Sequence, residues 1–218
     1  RRGRVSPAEF IPISESTGLI EVIGACVIGE VTRQTREWLD AGNRLQVSVN
    51  VSPRQLKDPT LLRVLDEALV ANGIAASSLA VEVAEDAIAR DPVRAIAALR
   101  SLSDRGVSVN IDDFGTGFSS ITHLRDIPID SVKIDRALVA DIGRSGTDYA
   151  VVAAVVQLAK AISGNVVAKG VETESQLELL RDLGCHLAQG FLFSPAVLEV
   201  GHGNTDRPVV PFAGAPPS

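Results

Sequence analysis

The chain of 218 residues contains no methionine, one tryptophan, one tyrosine and three histidines. Aromatic residues make up only 4% of the sequence, so the stacked aromatic side chains that bind single-stranded nucleic acids are not expected. The formal net charge of −6 argues against a broad face for DNA or RNA, which needs a surplus of lysine and arginine. We therefore expect no nucleic-acid polymer as a partner.

Cysteine is scarce as well, and long apolar runs are absent. Cys26 and Cys185 stand in apolar segments without the CxxC or Cys/His spacing of a metal site, which indicates buried, reduced thiols in a cytoplasmic protein. No apolar run approaches the roughly 18 residues that a membrane span needs, and no signal peptide is visible. Any membrane tether of a parent protein is therefore expected outside this chain.

The length is enough for one sizeable domain with its own core. The chain starts at Arg1, and with no methionine anywhere it is expected to be a segment of a longer protein. From Val200 onward glycine, proline, asparagine and threonine dominate, which is typical of a disordered tail. The expected organisation is one folded domain over residues 1–199 and a disordered tail over 200–218.

Strand-like apolar runs alternate with helical patterns along the folded part. The pattern predicts strands at Leu45–Val51, Leu79–Val83, Val107–Ile111, Ser131–Ile134, Val166–Ala168 and His186–Phe191. It predicts helices at Leu19–Trp38, Thr60–Ala71, Asp91–Arg105, Thr147–Ile162 and Thr173–Leu183. Repeated β-α units favour a parallel sheet covered by helices, an α/β fold. Roughly six strands are two fewer than a closed eight-stranded barrel has, so we expect a TIM-like barrel that lacks its first two strands.

The most informative segment is residues 109–117, VNIDDFGTG, in which an apolar strand ends in two adjacent carboxylates. Neighbouring strand residues point to opposite faces, so Asp112 and Asp113 are expected to share a site only because the strand is ending. Carboxylates at the C-terminal tip of a barrel strand suit a hard divalent cation. The alternative is an Asx-turn, in which the aspartates hydrogen-bond their own backbone.

Polar side chains recur at the ends of successive predicted strands. They are Asn50, Glu82, Glu85, Asp112, Asp113, Lys133, Asp135, Lys169, Glu172 and Gln189. Barrel enzymes collect catalytic groups from these ends, so the recurrence predicts a functional site at this mouth. Simpler alternatives exist for single members: Asn50 closes a turn, or Glu82 is a solvated strand residue. Lys133 has the alternative of a surface ion pair with Asp130 or Asp135.

Six motifs, in this order and spacing, resemble the EAL domain family. They are SVNVSPRQL, VEVAED, NIDDFGTGFSS, DSVKIDRALV, VVAKGVETESQ and AQGFLFSPA, and the opening RVSPAEFIPISESTGLI is similar to the segment that follows the family's signature. The family comprises bacterial cyclic-di-GMP phosphodiesterases and their degenerate, ligand-binding relatives. The resemblance runs from about Val5 to Pro195 and implies a modified TIM barrel. It also implies hydrolysis of cyclic-di-GMP to linear pGpG with two Mg²⁺ or Mn²⁺ ions.

The resemblance implies a role for each matched residue. The metal ligands would be Asn50, Glu82, Asp112 and Asp113. Of these, Asp113 would bridge toward the second metal. Lys133 would orient the attacking water or neutralise developing charge, and Gln189 would hydrogen-bond a water or ligand beside the metals. Glu85 matches the glutamate that anchors the loop after the two aspartates and couples the site to a dimer interface.

Departures from the family pattern point toward a degenerate site. The EAL signature itself, with a metal-binding glutamate and a phosphate-binding arginine, is absent from the chain. Lys169 stands where the family has the glutamate of AEGVET, which organises the second metal. A protonated lysine repels a hard cation instead of ligating it, so we expect one metal or none and severely impaired hydrolysis. Its ammonium could take the place of the second metal's charge without generating a metal-bound hydroxide.

Softer departures are Ala84, where the family has threonine, and Phe118, where it has tyrosine. Glu172 is expected to have a structural role: it either pairs with Lys169 or helps to open the following helix, where negative charge suits the helix dipole.

Three functions remain open from the sequence. The favoured one is a degenerate EAL module that binds cyclic-di-GMP or pGpG as a regulatory domain, with little or no turnover. The second is a working phosphodiesterase that tolerates Lys169, and the third is a protein-interaction scaffold that binds no nucleotide. The resemblance also implies a homodimer and a parent protein with attached GGDEF or sensory domains.

Overall fold

The computed structural model describes residues 5–116, 121–185, 187–194 and 210–211. The chain divides into two compact units, one formed by residues 1–109 and 119–128 and the other by residues 110–118 and 129–218. The first unit contains the helices α1 (Pro7–Thr17), α2 (Leu19–Asp40), α3 (Pro53–Lys57), α4 (Leu61–Asn72), α5 (Glu85–Arg90), α6 (Pro92–Ser103) and α7 (Ile121–Leu124), a 3₁₀ turn (Ala76–Ser78), and the strands β1 (Val47–Asn50) and β2 (Leu79–Ala84). Strand β3 (Ser108–Phe114) begins in this unit and continues into the second. The second unit then contains β4 (Ser131–Ile134), α8 (Arg136–Asp141), α9 (Gly146–Ser163), β5 (Val166–Lys169), α10 (Glu174–Asp182), β6 (Leu187–Gln189) and β7 (Val210–Pro211).

In the first unit, β1 and β2 form a parallel pair in regular register, from Val47 beside Leu79 to Asn50 beside Glu82. Strand β2 is buried along almost its whole length, as a strand covered on both faces should be. Helix α2 packs on α4, and the buried Thr32 hydroxyl accepts a hydrogen bond of 3.0 Å from the Asn72 amide. The apolar core of this unit includes Leu65, Leu69, Val83, Ile88, Leu99 and Leu102.

Helices α1 and α2 meet at Gly18, whose φ of +81° lies in the left-handed region that glycine adopts without a steric penalty. The axes of the two helices are bent by 118°. Within the described residues, no single helix has the length and apolar character to cross a membrane. Among these residues, only the bent pair α1 and α2 has that length and apolar character, and only when the two helices are counted together.

In the second unit, β3 to β6 pair in parallel and in chain order, and β7 adds antiparallel to β6. Helices α8 and α9 pack on β5. Glycine is required at the end of β6, because a Cβ at Gly190 would lie 2.1 Å from the carbonyl oxygen of Val171. Two backbone hydrogen bonds hold this approach, from Val171 N to Gln189 O at 3.1 Å and from Leu192 N to Val171 O at 3.0 Å.

Most predicted elements are present with shifted ends. Strand β4 has the predicted bounds, whereas β3 runs three residues beyond the predicted Ile111. Asp135 lies after β4 as the N-cap of α8, where its carboxylate accepts from Ala137 N at 2.7 Å. Helix α1 was not predicted, because Pro12 inside it is a residue that normally breaks helices.

The prediction of two buried cysteines is wrong for Cys26, which is exposed, and right for Cys185. The buried stripe of α2 passes through Ile20, Gly24, Ile28, Thr32 and Thr35. Cys26 lies off this stripe although its neighbours in sequence are apolar.

The expected tail over residues 200–218 lies outside the described residues except for β7. Gly117, Phe118 and His186 also lie outside them. The tail stays a prediction.

Candidate functional site: an acidic pair closed by a lysine

A β-bulge places both aspartates of the β3 motif at one site. Pairing between β3 and β4 is regular up to Ile111 beside Val132, and it resumes at Phe114 beside Ile134. Between these pairs, Asp112 and Asp113 on β3 stand opposite one residue of β4, Lys133. The extra residue interrupts the alternation of side chains, so that two consecutive residues can serve the same site.

The backbone of the bulge is left-handed at Asp113, whose φ of +52° is the one positive value at a non-glycine residue in the described ranges. Aspartate tolerates this region better than most residues do. Gly115, two residues further on, has a φ of +96°, and a Cβ there would lie 2.6 Å from Leu138 Cδ1. The turn after the strand therefore requires glycine at Gly115. The Thr116 hydroxyl fixes the turn by donating to Asp113 O at 2.9 Å.

Lys169, the last residue of β5, points its ammonium between the two carboxylates. Lys169 Nζ lies 2.6 Å from Asp112 Oδ1 and 2.9 Å from Asp113 Oδ1, which are charge-assisted hydrogen-bond distances. The side chains of Lys169 and Asp112 are 23% and 12% exposed, whereas that of Asp113 is 48% exposed. The expected ammonium next to Asp113 is therefore present, and it contacts Asp112 as well.

Lys169 offsets part of the negative charge of this cluster. Burial lowers the pKa of Lys169, but hydrogen bonds and charge attraction from the two aspartates outweigh burial, so the pKa is raised above its ordinary value. Lys169 is therefore an ammonium at neutral pH. Asp112 Oδ1 also accepts a hydrogen bond from the backbone N–H of Asp113 at 2.9 Å. An aspartate bonded to the neighbouring backbone, the alternative to a metal ligand, is therefore present at Asp112 together with the contact to Lys169.

Lys133 and Gln189 share a sheet face with Lys169. In the parallel register Lys133 lies beside Val167, two residues before Lys169, and Lys169 lies beside Gln189. Residues in register, and residues two apart on one strand, project to the same face. Lys133 is buried and Gln189 is partly exposed. The C-terminal ends of β4, β5 and β6 thus present two ammonium groups and an amide on one face.

The remaining predicted residues lie in the first unit. Asn50 and Glu82 are register partners at the C-terminal ends of β1 and β2, and they project to the same face, Asn50 exposed and Glu82 buried. Burial of Glu82 removes the alternative of a solvated strand residue, while a joint role of the two residues stays a prediction. Glu85, predicted on the strand, is instead the first residue of α5 and is buried. Its anchoring of the loop after the aspartates stays a prediction.

The acidic pair does not fit a divalent metal in the position that the resemblance implies. A Mg²⁺ ion between the two aspartates would need their carboxylate oxygens at about 2.1 Å. The Oδ1 atoms of Asp112 and Asp113 both accept hydrogen bonds from Lys169 Nζ, so the ammonium occupies the position that the ion would take. In the described part of the chain, no group of three or more His, Cys, Asp or Glu side chains is arranged to hold a metal ion. A common metal centre of Asn50, Glu82, Asp112 and Asp113 stays a prediction.

Sequence reasoning missed the bulge and the close approach at Gly190. It assigned the shared direction of the two aspartates to the end of the strand, but β3 continues to Phe114. The alternation Gly115-Thr116-Gly117 after the acidic pair is the available signal, because glycines next to a strand interior often mark a bulge. Glu172 is exposed and lies before α10, and its backbone N–H donates to Gln176 Oε1 at 2.9 Å.

Comparisons with known proteins agree with the resemblance. The profile of the EAL domain family matches residues 1–196. The bifunctional diguanylate cyclase/cyclic di-GMP phosphodiesterase MucR of Pseudomonas aeruginosa is 40% identical over 193 residues, which are 88% of this chain and 28% of MucR. The cyclic di-GMP phosphodiesterase PdeR of Escherichia coli is 37% identical over 199 residues, 90% of this chain and 30% of PdeR. The chain thus spans less than a third of these two relatives.

A solved structure, the PaMucR phosphodiesterase in complex with c-di-GMP, superposes with a TM-score of 0.84 at 39% identity. The superposition covers 89% of this chain and 79% of that one. This likeness confirms the expected fold class, an α/β fold of the TIM-like EAL type. With the profile match over nearly all of its described residues, the chain belongs to the EAL domain family.

Proposed function

We propose that this chain is a degenerate EAL domain that binds cyclic-di-GMP as a regulatory module, with little or no hydrolysis. The observation that carries the proposal is the Lys169 ammonium held between Asp112 and Asp113. Family membership and the likeness to a phosphodiesterase solved with c-di-GMP support the choice of ligand. The lysine supports the choice of binding over turnover, since a cation that cannot activate water stands at the acidic pair.

The residues of the second unit suit a phosphodiester ligand. Lys133 and Lys169 place two ammonium groups on one face, where they would attract the two phosphates of a cyclic dinucleotide. The Gln189 amide, beside Lys169, would donate to or accept from the ligand. The aspartates hold Lys169 in place. None of these groups supplies a base next to an activated water.

A working phosphodiesterase that yields pGpG is the second candidate. It is favoured by the names of MucR and PdeR, both of which are called cyclic di-GMP phosphodiesterases. It is also favoured by Asn50, Glu82 and Asp112, which keep the residue types implied for the first metal. EAL phosphodiesterases generally depend on divalent metal, so this candidate requires metal-dependent turnover despite Lys169.

The attached domains, the assembly and the location extend the proposal. MucR joins a diguanylate cyclase with a phosphodiesterase in one protein, so a GGDEF or sensory domain in the parent of this chain is a reasonable expectation. We propose that the domain acts as a cytoplasmic homodimer, in which nucleotide occupancy changes the state of the attached domains.

The deciding experiment is titration of the full natural protein with cyclic-di-GMP by calorimetry, with and without Mn²⁺, followed by chromatography of the nucleotide. Binding with the ligand recovered intact supports the proposal. Conversion to pGpG would establish the phosphodiesterase instead. The absence of binding heat under both conditions would leave a protein-interaction scaffold that binds no nucleotide.

A variant of Lys169 tests the same proposal through a gain of hydrolysis. Lys169→Glu should raise metal-dependent hydrolysis by orders of magnitude if the lysine is what prevents turnover. Lys160→Glu, on α9, changes the charge by the same two units and has no ion pair with either aspartate, so its rate should stay at that of the unaltered protein. Equal rates for all three proteins would contradict the role assigned to Lys169.

A further inference from the structure

The acidic pair at the end of β3 carries its own cation. Two carboxylate oxygens converge on one point, and a side chain of the same unit supplies the positive charge there: Lys169 Nζ reaches Asp112 Oδ1 at 2.6 Å and Asp113 Oδ1 at 2.9 Å. The bulge and the left-handed backbone at Asp113 position this convergence, so it does not depend on a bound ion to form. One of the two carboxylate charges is therefore offset by a cation of the chain itself.

We propose that Lys169 is a resident cation, whose ammonium replaces the divalent ion at this acidic pair and makes nucleotide binding independent of metal there. The statement about nucleotide rests on the function proposed above. The statement about metal does not, because it concerns only what occupies the space between Asp112 and Asp113.

The geometry gives the ammonium a second task. A lysine ammonium has three N–H donors, and two of them are used by the aspartates. No third acceptor for Lys169 is found within the described ranges of the chain, and its side chain is 23% exposed. The third donor is thus available to a phosphate oxygen, which is the contact that a metal ion would otherwise provide. Lys133 on the same face adds a second positive charge for the same ligand.

A divalent ion at this position would have to displace the ammonium. It would lie a few ångströms from a fixed positive charge in a partly buried environment, where repulsion is much stronger than in water. It would also need the two oxygens that now accept hydrogen bonds from Lys169. Replacing Lys169 by glutamate reverses both conditions, because the repelling charge disappears and a third carboxylate joins the pair.

Mn²⁺ uptake by the ligand-free full-length protein tests the inference directly. By electron paramagnetic resonance or calorimetry, Lys169→Glu should gain one Mn²⁺ site relative to the unaltered protein. The Mn²⁺ dissociation constant at the acidic pair should be lower than in the unaltered protein by about tenfold or more. The double variant Lys169→Glu/Asp113→Asn should lose most of that gain. Lys160→Glu should match the unaltered protein. Equal Mn²⁺ uptake by the unaltered protein and Lys169→Glu would overturn the inference.

Two further arms keep the test decisive. If Lys169→Glu does not fold, Lys169→Met removes the repulsion without adding a ligand, and it should show a weaker but measurable new Mn²⁺ site; no gain in this variant would overturn the inference. Cyclic-di-GMP affinity of the unaltered protein should agree within about twofold in EDTA and in Mn²⁺. A large rise with Mn²⁺ would contradict a resident cation. If no nucleotide binds at all, the proposed function fails, and the Mn²⁺ arm still decides the inference.

Discussion

The strand ends of the two units present polar side chains in different ways. In the first unit, Asn50 and Glu82 end two strands in unbroken register, and the polar groups sit in line with the regular alternation of side chains. In the second, the register breaks at Asp112 and Asp113, the backbone turns left-handed, and a lysine from another strand enters between the carboxylates. Regular strands can present one acid each, whereas a bulged strand can present two.

The difference has an energetic consequence. A pair of adjacent carboxylates turned to one point repels itself, and this repulsion must be offset by a cation. In this chain the cation is covalently part of the fold. The strand ends of the second unit should therefore depend on charge as well as on packing and backbone geometry, whereas no such charge pair is needed at the ends of β1 and β2. Variants in the two units can test this contrast.

The largest effect is expected at the end of β6. Gly190→Ala would bring a methyl group to within 2.1 Å of the Val171 carbonyl oxygen, and backbone atoms cannot move aside as a flexible side chain can. We expect the free energy of unfolding to fall by about 3 kcal/mol or more, measured by urea denaturation. Gly143→Ala, where the nearest atom would be 3.8 Å away, is the control from the same unit and should change little.

Removing the ammonium should have the next largest effect. Lys169→Met keeps the volume and the apolar stem but leaves Asp112 and Asp113 facing each other. We expect a loss of about 1–2 kcal/mol, below the cost for a fully buried pair, because Asp113 is half exposed and water screens its charge. Lys57→Met in the first unit, which removes a partly exposed pair with Asp91, should cost less than half as much. Similar losses in both units would erase the contrast.

Alkaline pH should remove the same contribution without mutation. The folded-state pKa of Lys169 is raised above that of the unfolded chain, so its stabilising effect is complete below the ordinary lysine value of about 10.4. The effect is lost as the pH rises through the raised folded-state pKa. The difference in unfolding free energy between the unaltered protein and Lys169→Met should thus be constant from pH 7 to about pH 10 and shrink above it. A difference that disappears already at pH 8 would contradict the assigned hydrogen bonds.

Helix caps offer a matched pair in which the two units should behave alike. Ser52 caps α3 and Thr173 caps α10, each in a reciprocal capping box with a glutamine three residues later. Ser52→Ala and Thr173→Ala should each cost about 1 kcal/mol in chemical denaturation, since each removes the hydroxyl that accepts the backbone N–H of the glutamine three residues later. A markedly larger loss in one unit would show that its helix cap contributes more to stability than the matching cap of the other unit, and would contradict the expected similarity.

The smallest effect is expected for Asp113→Asn. Asparagine tolerates the left-handed backbone, and the exposed half of the charge pair contributes only a few tenths of a kcal/mol. Asp113→Ala should cost about 1 kcal/mol more, because alanine at a φ of +52° is strained. Equal stabilities for the two variants would mean that the left-handed conformation relaxes on substitution.

Much of this could be foreseen from the sequence. The six motifs led to the family that the profile match shows, and β4 was located at its observed bounds because its apolar run has clear turn signals on both sides. The proximity of Lys169 to Asp113 followed from motif alignment. The bulge could not be derived, since the rule of alternating side chains assumes one residue opposite one. Helix α1 was missed because Pro12 outweighs the helical pattern around it.

The distribution of sulfur has a practical consequence. Cys26 lies exposed on α2, whereas Cys185 is buried, and burial raises the pKa of its thiol to about 11, so that it remains protonated and shielded at neutral pH. With no methionine in the sequence, no other side-chain sulfur competes for an electrophile. Of the two cysteines of this chain, a maleimide fluorophore or spin label should therefore attach at Cys26 when the chain is folded, and report on the first unit without any engineered cysteine.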